Sequence, residues 1–498
     1  MSAIITEKFR QHNADQFVES FTETSNSTYY LFVGKATAYT SATTGGSDST
    51  PPAPADAPGD TEFYAWDSML AAKNVTSSDV SYAVPRRNWA NGDTYDMYDD
   101  DISSSSTTTS GASNLYDSTF YFMTSDYRVY KVLDNNAGAA YSGAEPTSES
   151  TSPFELGGYV LKYMYAITTS EAAKYLTSDF IPVSNDSTIT AAATDGGIES
   201  LKITAGTGYT NGTYYAAIYG DGTSAGTSSG GIVRITVSGG TIQSFGLTAG
   251  SDTTLHAGGA AYTFGTVNLA SGYTFSDSGL SSASAIGGSG GSIEVVISPK
   301  NGHGYSAIKE LGGHYVMTAT TLTQAENDDI TTSNDFRQVG LVVDPTTYGT
   351  STVASSSTAR QTYVIKASSV SGTFEVDEKI TQATSGAVGK VVEYDSTLSL
   401  LYYQQERFGD FGTNSTTGDH SVFTGTNVIT GATSSATFTP SANSETITLA
   451  NNNTLATTSG YANPELQPDS GNIVYLENRK PIQRDSDQTE DIKLIIEF

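Results

Sequence analysis

Short runs of aromatic and β-branched residues, each closed by glycine or by a polar turn, recur along the whole chain. Examples are Tyr29–Gly34, Arg128–Leu133, Gly158–Tyr165 and Ile492–Phe498. Residues 119–122 precede the second run across a polar turn and predict a hairpin. Such runs suit strands, because β-branched and aromatic side chains fit a pleated surface. The pattern predicts an α+β fold that is predominantly β.

The composition favours the same class. Only 15% of the residues are charged, against about 25% in typical soluble domains, and Gly, Ser, Thr, Asn and Tyr fill the difference. With 498 residues the chain exceeds what one hydrophobic core usually supports. We expect about three domains, arranged as a multidomain protein with a β-sandwich-like core and small inserted β modules.

Acidic residues dominate the charge. The chain has 24 Lys and Arg against 53 Asp and Glu, a net charge of -29. It should repel phosphate backbones and anionic lipids, so we expect neither nucleic acid nor a membrane as partner. There is no cysteine, which excludes disulfides and thiolate metal sites. The N-terminus lacks a signal-peptide pattern and no run approaches about 18 apolar residues, so we expect synthesis in the cytoplasm.

Shifts in composition predict five segments. We expect an N-terminal α+β part of the core at 1–185, a Gly/Ser/Thr-rich β module at 186–300, a return to the core at 301–350, a second β-repeat module at 351–462, and C-terminal strands that complete the core at 463–498.

Both predicted modules contain weak repeats. A strand followed by a Gly-x-Gly-Tyr turn occurs at 198–209 and again at 293–305, and residues 372–387 are echoed by 422–436. We expect each repeat to be a small β unit.

A helix is predicted over residues 63–73. Trp66 and Met69 share one face of this segment, and Asp60 or Thr61 is a suitable N-cap.

No residue pattern in the chain predicts catalysis. The histidines show no pair at the spacing that aims two imidazoles at one metal: His12, His256, His303, His314 and His420. Residues 287–291 match the serine-hydrolase pattern G-x-S-x-G, but no helical periodicity follows them. We interpret them as a flexible glycine-serine loop.

An acidic segment is the one candidate for a cation site. Asp93, Asp96 and Asp99–Asp101 offer oxygen ligands, but their spacing is not that of a calcium-binding EF-hand loop. We favour a solvated acidic loop. We predict no catalytic residue, no metal and no cofactor.

Arg86 and Arg87 next to Trp89 stand out in so acidic a chain. Arginine and tryptophan are enriched at binding hot spots, and a guanidinium forms bidentate contacts with carboxylates. A subunit interface and an internal salt bridge are equally good interpretations of this segment.

Several segments, taken in order, carry a resemblance to a known family. They are residues 5–10, 32–34, Val84–Trp89, Val129–Asp134, 158–160, Phe336–Gln338, Tyr475–Ile482 and Asp487–Ile492. In these segments the chain resembles the baseplate wedge subunit of T-even-like contractile-tailed bacteriophages, the gene product eight family. The stretches near 186–300 and 350–460 look like additions to that pattern.

The resemblance implies a non-enzymatic virion protein of the tail baseplate. It implies a homodimer that packs against other baseplate wedge proteins and holds them together in the contractile tail, after synthesis and assembly in the host cytoplasm. The candidate interface or core-anchoring residues are Arg86, Arg87, Trp89, Tyr475, Glu477, Asn478, Arg479 and Pro481.

Two alternatives remain open. The repeats and the Asn- and aromatic-rich loops also suit a receptor-binding or fibre-like adhesin of the virion, since aromatic rings stack on sugars. A polysaccharide depolymerase is less consistent with the sequence, because a β-helix enzyme should repeat strands at a fixed short period.

Overall fold

The computed structural model describes residues 6–23, 27–40, 45–54, 62–223, 230–269, 286–323, 334–406, 417, 419–449, 452–483 and 489–498, and describes the backbone alone for 272–276 and 279–284. Predicted features at Ile5, Asp60, Thr61 and Asp487–Gln488 lie outside these residues.

The helices are short. They are α1 (Glu7–Glu19), α2 (Glu62–Ser68), α3 (Thr169–Tyr175), α4 (Ser187–Ala192) and α5 (Ala307–Glu310).

Strands form most of the regular structure. The first seventeen are β1 (Tyr29–Gly34), β2 (Met69–Val75), β3 (Val80–Pro85), β4 (Tyr121–Met123), β5 (Arg128–Asp134), β6 (Phe154–Leu156), β7 (Tyr159–Ala166), β8 (Phe180–Val183), β9 (Ser200–Tyr209), β10 (Gly212–Gly220), β11 (Ile232–Ser238), β12 (Thr241–Ile242), β13 (Thr254–Ala257), β14 (Gly265–Val267), β15 (Gly272–Ser276), β16 (Gly279–Ser284) and β17 (Gly287–Val296). The others are β18 (Tyr315–Leu322), β19 (Phe336–Val343), β20 (Thr358–Arg360), β21 (Tyr363–Ser371), β22 (Lys379–Gln382), β23 (Ala387–Asp395), β24 (Leu400–Gln404), β25 (Ile429–Gly431), β26 (Thr437–Pro440), β27 (Glu445–Thr448), β28 (Thr454–Thr457), β29 (Tyr461–Ala462), β30 (Asn472–Ile482) and β31 (Glu490–Glu497).

The chain forms two compact units. Unit 1 comprises Met1–Gln16, Ser81–Met317 and Ile495–Phe498, and unit 2 comprises Phe17–Val80 and Thr318–Leu494. The strands outweigh the helices in both, which confirms the predicted β-rich, multidomain class. The five-segment division stays a prediction.

Two sheets lie in unit 1, a small one of aromatic-rich strands and a large one, and the chain also contains a third, four-stranded sheet. The small sheet has the order β4-β5-β7-β6, and the predicted hairpin is confirmed as the antiparallel pair β4 and β5. The large sheet runs β12-β11-β10-β14-β17-β9, with β13, β15 and β16 attached to it. The third has the order β31-β18-β3-β8.

Tyr209 at the end of β9 explains the glycines around it. Its ring packs so closely that a Cβ on Gly288 would lie 2.3 Å from it and one on Gly206 would lie 2.6 Å from it. Its hydroxyl accepts a hydrogen bond from the backbone N–H of Gly291 at 3.0 Å. The ring is buried and joins the core of the large sheet.

Two predictions in this region are therefore wrong. Residues 287–291 are not a flexible loop but the first half of β17, and residues 206–209 are not a turn but the end of β9. The two segments pair with each other, with Gly287 opposite Tyr209 and Ser289 opposite Thr207. The sequence shows the glycines but not the partner strand and the aromatic ring that require them.

Unit 2 contains a five-stranded sheet of order β20-β2-β1-β19-β30. Its central strand β1 pairs with β19 over six residues, with Leu31 opposite Leu341, so segments about 300 residues apart in the sequence form one sheet. The strand predicted at Tyr29–Gly34 is confirmed as β1.

The helix predicted over residues 63–73 is correct up to Ser68 and wrong beyond it. Helix α2 ends at Ser68, and Met69–Val75 forms β2 between β1 and β20. Residues 69–72 are buried in a strand that bonds on both sides, so sheet pairing outweighs their helical periodicity.

Unit 2 also contains a closed barrel. Its strands have the order β24-β23-β22-β25-β26-β21, and β21 pairs back to β24, with β29 added on β21. The predicted repeats lie side by side here, because β22 of the first repeat pairs with β25 of the second. Glu378 of the first repeat accepts hydrogen bonds from the backbone N–H groups of Thr433 and Ser434 of the second.

The glycine pair at 288 and 290 tests the packing on Tyr209. Both have φ above +70°, but a Cβ on Gly290 would meet no atom within 4 Å. We expect Gly290→Ala to cost about 1–2 kcal/mol of unfolding free energy from backbone strain. Gly288→Ala should cost about 1–3 kcal/mol more, because the methyl group overlaps the ring. Denaturant unfolding of both variants measures the difference, and equal costs would contradict this packing.

Candidate functional site

The most unusual polar arrangement in unit 1 is a pair of buried lysines. Lys131 in β5 lies directly opposite Lys162 in β7, and both side chains are almost completely buried. Two cations at neighbouring positions of one sheet repel each other and lose their hydration, so each needs an anionic partner. We call Lys131, Lys162 and their partners Glu310, Glu199 and His303 the buried lysine cluster.

Lys131 is held by a turn and a short helix that follow β17. Its Nζ lies 2.9 Å from Oε2 of Glu310 and 2.9 Å from Nδ1 of His303. The ring of Tyr98 covers the same nitrogen at 3.8 Å from its centroid. Carboxylate, imidazole and aromatic face together replace the water that a lysine normally binds.

Glu310 is itself fixed by backbone donors. Its Oε1 accepts hydrogen bonds from the backbone N–H groups of Gly304 at 2.8 Å and Ser306 at 3.2 Å. Gly304 has φ +86°, and a Cβ there would lie 2.5 Å from Ile189. The turn therefore needs glycine at this position for both conformation and space.

Lys162 has a separate set of partners. Its Nζ donates to the backbone carbonyl of Thr151 at 2.9 Å and lies 3.1 and 3.3 Å from the two carboxylate oxygens of Glu199. Glu199 immediately precedes β9.

Burial shifts the titration of this cluster. It lowers the pKa of Lys131, although the charge of Glu310 opposes the shift. Burial, together with the charges of Lys131 and Lys162, lowers the pKa of His303 well below its usual value, so the imidazole is neutral. Burial raises the pKa of Glu199 against the opposing charge of Lys162.

The sequence did not lead us to this cluster, and His303 was assigned no role. One signal was available, namely a lysine in the middle of each apolar run at 128–133 and 158–165. A cation in a strand that is otherwise fully buried requires a partner. The partners themselves are about 180 and 40 residues away along the chain, which no local pattern shows.

Arg86 and Arg87 bind backbone carbonyls of unit 1. Arg86 donates to the carbonyl of Thr177 at 2.8 Å, and Arg87 donates to that of Tyr116 at 2.8 Å. Arg87 also lies over the ring of Tyr121, 4.5 Å from its centroid. No described carboxylate forms an ion pair with either guanidinium.

Arg86 and Trp89 border a pocket of about 420 Å³, whose other walls include Met123, Tyr127 and Glu145. The indole of Trp89 packs edge-on against Tyr141. Its Nε1 is buried and makes no hydrogen bond to any described residue.

The C-terminal candidates lie on β30, the end strand of its sheet. The Tyr475 hydroxyl donates to Glu477 at 3.1 Å, and burial raises the pKa of this tyrosine to about 12. Arg479 lies 3.6 Å from Glu477 on the exposed face. Pro481 is half-buried near the end of the strand.

Asn478 anchors β30 to its own unit. Its amide accepts from Gln338 at 2.9 Å and donates to the carbonyl of Pro52 at 3.0 Å. Nearby, Arg337 of β19 binds both carboxylate oxygens of Asp48 at 3.0 Å. These contacts fix the segment 48–52 beside the sheet.

The acidic segment is only in part the solvated loop that we predicted. Asp96 is fully buried and accepts hydrogen bonds from the backbone and hydroxyl groups of Ser110 and Thr119. Burial opposes its charge, but these bonds outweigh that effect and lower its pKa. Asp99 is buried against Lys202. Asp93 and Asp101 are exposed.

Within the described part of the chain, no group of three or more His, Cys, Asp or Glu residues is placed to hold a metal ion. No described helix is long and apolar enough to cross a membrane.

Fold and contacts define a β-rich, multidomain protein whose buried charges serve contacts within its own chain. The model of the family Phage-Gp8, described as Bacteriophage T4 Gp8, matches residues 3–145 and 441–498. Both end segments of the chain are therefore similar to the family of phage T4 gene product 8, a baseplate wedge subunit, which confirms the resemblance seen in the sequence. A search of curated proteins found no match. The family is one of structural baseplate proteins, and both sets of candidate residues, 86–89 and 475–481, lie inside the matched segments.

Two buried aspartates should respond to pH in opposite ways. Burial raises the pKa of Asp134 to about 6, against 3.8 normally. The folded protein therefore binds this proton more tightly than the unfolded chain does. The contribution of Asp134 to the unfolding free energy is fully present below pH 4 and is lost as the pH rises through about 6. We expect Asp134→Asn to stabilise the protein by about 1–3 kcal/mol at pH 8 and to change little at pH 4.

Asp96→Asn is the matched control. Because the pKa of Asp96 is lowered, its contribution to the unfolding free energy is present above pH 4 and is lost below it. This variant should be destabilised at pH 8 and approach the parent protein in acid. Thermal unfolding of both variants across the pH range provides the test, and the same sign for both at pH 8 would contradict the assignment.

Proposed function

We propose that this chain is a structural, non-enzymatic component of a phage tail baseplate wedge, and that it holds neighbouring wedge proteins together in the contractile tail. The observation that carries the proposal is the family match over both ends of the chain. On this proposal the protein is made and assembled in the host cytoplasm and then resides in the tail baseplate of the virion.

The partners of the buried charged side chains support a structural role. The buried charges of Lys131, Lys162, Asp96 and Arg337 are all engaged by groups of their own unit. The candidate residues that remain exposed or border a pocket are those suited to binding another protein, namely Arg86, Trp89 and Arg479.

Residues 146–440 lie outside the family match. They contain the large sheet of unit 1 and most of the barrel of unit 2. We propose that the predicted modules at 186–300 and 351–462 are additions to a wedge core formed by the two ends of the chain, and that they face solvent or neighbouring subunits.

The homodimer implied by the family is best accommodated at β30. This eleven-residue strand ends its sheet, and an unpaired edge is a template for a further strand. If two copies of β30 pair antiparallel about Asn478, a two-fold axis places Glu477 of each copy opposite Arg479 of the other. Opposite charges at facing positions favour pairing of the two strands. In the same register Val474, which is 52% exposed, lies opposite Ile482 of the other copy.

Charge reversal tests this dimer. We expect Glu477→Arg alone, or Arg479→Glu alone, to weaken dimerisation about tenfold, because two symmetry-related pairs then carry like charges at about 0.2–1 kcal/mol each. The double variant Glu477→Arg with Arg479→Glu restores both pairs and should dimerise normally. Lys300→Glu changes the charge equally at an exposed site elsewhere and should have no effect. Sedimentation over a concentration series gives the dissociation constants, and failure of the double variant to recover would exclude this register.

Assembly tests the function itself. The mass of the purified chain should be that of a dimer, and it should enter a discrete larger complex when mixed with the other tail-structure proteins encoded beside it. Light scattering coupled to gel filtration measures both. A stable trimer that ignores those proteins and binds cell-surface glycan would instead support an adhesin.

A further inference from the structure

The groups that satisfy the buried pair of Lys131 and Glu310 are also the groups that an acyl-transfer reaction needs. A buried ion pair needs opposite charges and hydrogen bonds for the remaining polar atoms. Here the lysine nitrogen also contacts an imidazole, and one carboxylate oxygen is separately held by two backbone N–H groups. An amine, a carbonyl carbon, a base and a pair of oxyanion donors are the components of an acyl-transfer site.

We propose that Lys131 and Glu310 are joined by an intramolecular amide bond, which the folded chain forms by itself with His303 as the proton carrier. The proposal is independent of the baseplate function and concerns only unit 1. In the structure the two side chains are separate, with Nζ at hydrogen-bond distance from Oε2, 2.9 Å.

The first requirement is a nucleophilic amine. The side chain of Lys131 has no exposed surface, and that of Glu310 is 3% exposed. In such a site the lysine loses its hydration, which favours the neutral amine over the ammonium ion. The lowered pKa of Lys131 has the same cause.

The second requirement is a base in contact with the amine and close to the carboxylate oxygen that leaves. Nδ1 of His303 lies 2.9 Å from Nζ of Lys131 and 4.0 Å from Oε2 of Glu310. The neutral imidazole accepts a proton from the nitrogen as it attacks and returns it to the departing oxygen. This role accounts for the burial of the histidine beside the lysine.

The third requirement is stabilisation of the developing oxyanion. When Nζ bonds to Cδ of Glu310, negative charge accumulates on Oε1. This oxygen already accepts hydrogen bonds from the N–H groups of Gly304 and Ser306, which are fixed by the turn before α5. Two such donors are the usual content of an oxyanion hole.

The reaction balances without any cofactor. The Nζ–Cδ bond forms and the Cδ–Oε2 bond breaks. Of the three protons on the lysine ammonium, one stays on the amide nitrogen and two leave with Oε2 as one water molecule. Oε1 becomes the amide oxygen, still bonded to Gly304 and Ser306. Nothing is oxidised or reduced.

The neighbouring lysine supplies a built-in comparison. Lys162 is equally buried and also contacts a glutamate, but its Nζ lies almost symmetrically between the two oxygens of Glu199. Within the described residues, neither an imidazole nor a backbone N–H contacts this carboxylate. We therefore expect no bond at Lys162.

Intact-mass spectrometry of the denatured full chain tests the proposal. The wild-type protein should be lighter than its sequence by one water molecule, and a protease digest should yield a branched peptide that joins Lys131 to Glu310. Lys131→Arg keeps the charge but removes the nucleophile and should have the full sequence mass. Lys162→Arg should retain the loss of water.

Because the decisive measurement is made on the wild-type chain, a variant that fails to fold does not affect it. The full sequence mass for wild-type protein after prolonged incubation in the folded state would overturn the proposal. A loss of water that maps to other residues would overturn it too. His303→Gln should reduce the cross-linked fraction, and an unchanged fraction would remove the imidazole from the mechanism.

Discussion

The burial of two facing lysines determines how unit 1 is built. Taking each cation out of water costs on the order of several kcal/mol, and leaving one unpaired would cost about 3–5 kcal/mol. Lys131 and Lys162 therefore need Glu310 and Glu199 at fixed positions. Glu199 immediately precedes β9 and Glu310 follows β17, and these two strands pair with Ser200 opposite Val296. The start of β9 and the segment after β17 thus both supply partners to the buried lysine cluster. Through this cluster the large sheet contacts the aromatic-rich sheet of β5 and β7.

Unit 2 satisfies the same physical demands with strand pairing and with ion pairs such as that of Arg337 with Asp48. Strand β1 is buried along its whole length, so its backbone groups must bond on both sides, to β2 and to β19. The bidentate pair of Arg337 and Asp48 then fixes a polar loop beside β19. Among the described residues, β30 is an end strand of this sheet, which is why the proposed self-association falls there.

The sequence predicts the strands better than their partners. Continuous runs such as Tyr29–Gly34 and Arg128–Leu133 are correctly predicted, because buried strands need many β-branched and aromatic residues in succession. Residues 69–73 have helical periodicity but form a strand, since a place between β1 and β20 outweighs local preference. The glycines at 287–291 suggest a loop until Tyr209 is known to pack on them. The lysine cluster depends on three distant segments, so only the unusual position of its lysines is visible in sequence.

Amide hydrogen exchange is the most direct test of the claim that this chain works by binding other protein chains through its family-matching segments. It should be measured on the chain alone at low concentration and again in the assembled tail. We expect the outer amides of β30 and those of residues 86–89 to become protected on assembly, while the buried strands β1 and β5 are protected in both states. Unchanged exchange at β30 and at 86–89, with new protection confined to residues 146–440, would contradict this account.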